Sequence, residues 1–211
     1  MTHTLHRKGD IESLKTDFIL LVLPDKDVNI EGSAEKMNQF LDVFSRHKAD
    51  IVNYGNCSTG NSHHFSIEDL KKVKNLILNA VFKDREGLKG CLQEIKDRDF
   101  GISIIISGVY EEVVKICKEI DLSPHTVGLS LGIHGRTEKL PDEEILDITT
   151  MCGHHMVAPN FVNKMVKEIN NKKKTCEEAA IELSRQCLCG AFNPYRAEKL
   201  LTRMACNSKL R

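Results

Sequence analysis

The apolar positions of the chain open with an unbroken run, Phe18-Ile19-Leu20-Leu21-Val22-Leu23, closed by Pro24. Six apolar residues with no polar interruption predict a strand buried on both faces. The period then changes. Over residues 34–47, Met37, Phe40, Leu41 and Phe44 fall on one helical stripe, which predicts a helix laid against a sheet. A short extended piece is expected at 51–54, and further strands at 75–82, 101–107 and 126–131, with helices at 85–98 and 109–120 between them. Leu88, Cys91, Leu92 and Ile95 share one helical face, and Val113, Val114, Cys117 and Ile120 another, so Cys91 and Cys117 are expected in the core. Strands alternating with helices predict an α/β unit, a mostly parallel sheet with crossover helices.

Beyond Pro141 only helical periods remain, at 142–150, 161–170, 176–185 and 194–205. Thr175 with Glu178 has the spacing of a capping box, and Asn193-Pro194 reads as an N-cap followed by the first helical position. The expected organisation is therefore an α/β domain over 1–140 and an all-helical cysteine and histidine metal-binding module over 141–211. Between 55 and 64 the chain turns small and polar, Gly-Asn-Cys-Ser-Thr-Gly-Asn-Ser-His-His, ahead of a short helix capped by Ser66 and Asp69. Loops of this length inside compact domains are often functional.

The candidate chemistry lies mainly in the helical part. Cys152-Gly153-His154-His155 and Cys187-Leu188-Cys189-Gly190 place three thiols and two imidazoles at helix ends, a soft-ligand set suited to zinc or an iron–sulfur cluster. Residues i and i+2 project to one side of an extended segment but diverge around a helix, so Cys187 and Cys189 can share a centre only if the preceding helix has ended; Gly190 is such a stop. Gly153 and Gly190 leave the backbone bare beside a ligand, where amides can approach bound sulfur. His154 and His155 point apart, so only one of them is expected as a direct ligand. Cys57 and Cys206 are the candidate fourth ligands. His63, His64 and His134, together with His154 and His155, are the candidate proton-transfer groups.

Charge and composition narrow the partners. Thirty basic and thirty acidic residues cancel, so no global field favours nucleic acid or an anionic membrane. No window approaches a membrane span, and the polar arm from Met1 to Lys8 has no apolar leader core. The expected compartment is the cytoplasm, where eight cysteines remain reduced and serve metal binding, redox chemistry or burial rather than a disulfide framework. The absence of a GxGxxG or P-loop pattern argues against a nucleotide.

Cys152, His154, His155, Cys187, Cys189, Gly190, Phe192 and Asn193 form a CGHH…CxCGxFN pattern. It resembles, over the C-terminal third, uncharacterised proteins of anaerobic microbes thought to bind an iron–sulfur cluster. That resemblance implies iron–sulfur over zinc and brings no activity with it. The leading expectation is thus a [4Fe-4S] enzyme in which Cys152, Cys187 and Cys189 hold three irons. The fourth would be left open for small-molecule group transfer, elimination or redox chemistry. Two alternatives stand beside it: a closed structural zinc site of three cysteines and one histidine, and a metal or sulfur carrier that exchanges its cargo with a donor. A homodimer is compatible with any of the three.

Overall fold

A computed structural model describes residues 6–208; Met1–Leu5 of the polar arm and the last three residues lie outside the described part. In chain order the elements are α1 (Ile11–Leu14), β1 (Phe18–Leu23), α2 (Ser33–Arg46), β2 (Ile51–Asn56), β3 (Gly60–Asn61), α3 (Ile67–Lys71), β4 (Leu78–Phe82), α4 (Arg85–Arg98), β5 (Ser103–Ser107), α5 (Tyr110–Glu119), α6 (Glu143–Thr149), α7 (Pro159–Asn170), α8 (Cys176–Arg185) and α9 (Pro194–Ser208).

The five strands form one sheet in the order β3-β2-β4-β1-β5, and every neighbouring pair is antiparallel. This corrects the expectation of a mostly parallel sheet. The crossover helices do exist: α2 links β1 to β2, and α4 links β4 to β5, each pair running in the same direction. Each crossover skips one position, however. β4 fills the gap between β1 and β2, and β1 fills the gap between β4 and β5, so every hydrogen-bonded neighbour is reversed. This is the split βαβ arrangement. Alternating helices and strands are common to it and to a parallel sheet, and the order of pairing is a tertiary choice.

The apolar run of β1 is explained by two cores. Phe18, Leu20 and Val22 face one side with Leu78, Ala80 and Phe82 of β4, under Phe40, Leu41 and Phe44 of α2 and Leu88, Cys91 and Leu92 of α4. Ile19 and Val81 face the other side, beneath Ile148, Val162, Leu183, Phe192 and Leu201 from the C-terminal helices. Cys91 and Cys117 are buried, as their stripes predict, and desolvation pushes the Cys91 thiol up to about 12. The segment 126–131, expected as a strand, is exposed and pairs with nothing in the sheet; Val127, Leu129 and Leu131 are all turned to solvent.

The helical C-terminal part therefore forms the second layer on the sheet. The structure also corrects the expectation that it carries a metal-binding module of its own. Among the described residues, no group of three or more Cys, His, Asp or Glu side chains is gathered as a ready metal site.

The N-terminal arm locks this layer in place. Asp17, at the entrance to β1, takes an ion pair from Arg7 at 2.7 Å and one from Arg196 of α9 at 3.2 Å, and all three side chains are buried. Asn193 donates to Asp17 at 3.0 Å and to the carbonyl of Thr16 at 2.8 Å. Its own Oδ1 accepts from the Arg196 amide at 2.9 Å, so Asn193 caps α9.

Candidate functional site

Four thiols meet where the second layer touches the sheet. Cys187 and Cys189 follow α8, which ends at Arg185, and their sulfurs are 3.7 Å apart. Cys152 follows α6 and is in hydrogen-bond contact with Cys187. Cys57, in the turn between β2 and β3, is in contact with Cys189. The thiols thus form a row, Cys57 to Cys189 to Cys187 to Cys152, drawn from three separate stretches of chain. Cys152, Cys187 and Cys189 are at most 2 % exposed, whereas Cys57 is at the surface.

The sequence builds the inner end of this row around Cys152. Its contact with Cys187 and the backbone at Met156 and His154 favour the charged form of its sulfur. Together they outweigh desolvation and bring Cys152 down to about 6. The turn that carries this backbone needs His155 at φ +57°. Cys187 is pushed in the opposite direction by its contacts with Cys152 and Cys189 and by burial. Cys57 is likewise raised, first by its contact with Cys189 and then by burial.

Three buried asparagines of the sheet hold the Cys187–Cys189 turn. Asn61 donates to the carbonyls of Ser184 and Cys187, both at 2.9 Å. Asn79 donates to the carbonyl of Cys189 at 3.0 Å. Asn53 donates to Phe192 O at 2.8 Å and to Ser184 Oγ at 3.0 Å, while its own oxygen accepts from Ser62. Gly190 closes the turn with φ +77°, and a Cβ there would collide with the Tyr54–Gly55 peptide of β2. Backbone thus lies directly on backbone at this point, which fixes the height of the cysteine turn above the sheet.

These asparagines are the functional residues that the sequence reading passed over. A signal was present: Asn53 and Asn79 interrupt otherwise apolar strands, and a carboxamide 0 to 1 % exposed must find partners.

The remaining sequence candidates lie as follows. Gly153 is half-buried beside Cys152, and His154 and His155 are exposed. His64 is exposed, with Nε2 3.2 Å from the carbonyl of Arg185. His63 is half-buried, its Nε2 makes no hydrogen bond, and burial holds its pKa below the ordinary value, helped by Arg185. His134 is exposed and bonds to Leu131 O in its own loop at 2.8 Å. Cys206 is exposed on the last turn of α9. The small, polar loop at 55–64, which contains Cys57 and Asn61, reaches the thiols.

Chemically, the row offers soft donors, among which the pKa of Cys152 is lowered. A tetrahedral ion with metal–sulfur bonds of about 2.3 Å spaces its thiolates about 3.8 Å apart. The 3.7 Å between Cys187 and Cys189 already matches one such edge. Comparison with protein-family models, with curated proteins and with solved structures finds no match to this chain.

Proposed function

We propose that this chain is a thiophilic-metal-binding protein in which Cys57, Cys152, Cys187 and Cys189 hold one tetrahedral ion between the sheet and the C-terminal helical layer. The observation that supports this reading is the 3.7 Å spacing of Cys187 and Cys189, close to a tetrahedral edge, with Cys152 in contact with the one and Cys57 with the other, although the four are not yet gathered around one point. Thiolate donors select zinc, iron or copper(I) over hard ions. Zinc places the least demand on the protein, because it needs four ligands in a tetrahedron and no electron partner. The ion would tie the β2–β3 turn to the loops after α6 and α8, adding the free energy of metal binding to that of folding.

A second reading, a [4Fe-4S] cluster with three cysteine-bound irons and one open iron, is supported by the backbone at Met156 and His154 beside Cys152, since hydrogen bonds to sulfur tune such centres. A cubane binds each thiolate to a different iron and requires them farther apart than a tetrahedral edge, which is why the single ion is preferred.

The test is metal and sulfide analysis of protein purified without oxygen, followed by cobalt(II) substitution. One zinc or iron per chain, no inorganic sulfide, and intense thiolate-to-cobalt bands are the expected result. A brown protein with four irons and four sulfides would establish the cluster instead. A chain that takes up neither overturns the metal reading.

A further inference from the structure

Resting on the four-thiol reading, we propose that Cys57 is the exchangeable ligand of the site, the point at which the ion enters and is handed to an incoming thiolate. The four cysteines are unequal in a way that a purely structural site does not require. Three are at most 2 % exposed, and two of these, Cys187 and Cys189, sit on a turn fixed against the sheet by Asn61, Asn79 and the close seat of Gly190. The fourth is at the surface, at the outer end of the row, in a turn whose tip at residues 57–59 is bonded back to Asn56, the buried residue that anchors it through Asn75. Ser58 N donates to Asn56 Oδ1 at 2.6 Å, and Thr59 N donates to the same oxygen at 3.1 Å. The tip that carries Cys57 can open while Asn56 stays on Asn75, whereas releasing Cys187 or Cys189 would break buried hydrogen bonds.

The chemistry is ligand substitution. An acceptor thiol loses its proton and bonds to the ion through sulfur, the metal–Cys57 bond breaks, and the departing Cys57 thiolate takes up a proton. The metal keeps its charge throughout, and no oxidant or reductant is consumed. The three buried thiolates hold the ion until the acceptor displaces them in turn.

The experiment uses the full chain loaded with zinc, or with cobalt(II) as a spectroscopic stand-in, and a small dithiol as acceptor. Cys57→Ser is expected to keep one ion per chain with weakened thiolate–cobalt bands. It should pass the ion to the dithiol about tenfold faster or more, because the position that Cys57 must vacate is already weakly held. In the loaded wild type, mass mapping after brief alkylation should find Cys57 modified first among the four site cysteines, with the ion still bound. Cys57→Ser transferring at the wild-type rate with unchanged bands would overturn the proposal, because Cys57 would then not be a ligand. Complete loss of the ion in Cys57→Ser would also overturn it, by making Cys57 an anchor, while leaving the four-thiol site intact. A wild type that binds no ion brings down the site itself, and the exchange proposal with it.

Discussion

At the scale of single residues, the cysteine turn is positioned by side chains that carry no chemistry. Asn61 is the clearest case, because one carboxamide satisfies two buried carbonyls, those of Ser184 and Cys187. Asn61→Ala leaves both acceptors without that donor, and each such loss costs about 1 to 3 kcal/mol. A drop in urea stability of about 2 kcal/mol is expected, accompanied by weaker metal retention because Cys187 is no longer held in place. Equilibrium unfolding with and without bound ion checks this. A variant that loses stability but keeps wild-type ion affinity would show that Asn61 supports the fold and not the site. Gly190 was legible in the sequence as a helix stop, and its φ of +77° agrees; its close approach to β2 was not, because that depends on which strand lies opposite.

At the scale of elements, the link between the N-terminal arm and α9 dominates. One carboxylate, Asp17, answers two buried guanidinium groups, Arg7 and Arg196. Removing one partner of a buried ion pair strands charge in a poor solvent, at about 3 to 5 kcal/mol. Asp17→Asn is therefore expected to destabilise the protein by about that amount, with little dependence on salt, since the pair is shielded from mobile ions. Thermal unfolding at low and high salt measures it, and a change of under about 0.5 kcal/mol, as for a surface pair, would contradict the latch. Helix periods predicted α2, α4, α7 and α8 to within a few residues, and the Thr175–Glu178 capping box is present as expected. The strand expected at 126–131 is absent from the sheet, because an apolar-bearing segment can pair only where a sheet edge lies within reach.

At the scale of the whole molecule, a single sheet serves two cores, and this couples them. Leu20 and Ile19 are neighbours in β1 that point into opposite cores, so neither core can melt without exposing the strand that the other uses. Leu20→Ala, in the first core, and Ile148→Ala, in the second, are each expected to cost about 2 to 5 kcal/mol and to shift one common transition. Circular dichroism and calorimetry should give coincident midpoints in both variants; two separated transitions in Ile148→Ala would mean that the helical layer unfolds on its own. Among the described residues no helix is long and apolar enough to cross a membrane.

The sequence by itself determined the local features: which stretches are helical, which run is a buried strand, where caps and stops fall, and that Cys152, Cys187 and Cys189 form a candidate soft-ligand set. These follow from periodicity and residue chemistry, which act between near neighbours. Tertiary structure decided the antiparallel interleaving of β1 and β4, the recruitment of Cys57 rather than Cys206 to the thiol row, and the seating of the cysteine turn on three asparagines. Each of these joins residues far apart in the chain, such as Asn61 with Cys187 or Arg7 with Ala191. Hydrophobic patterning says that a face must be buried, but the partner that buries it is set only by how all the elements fill space together.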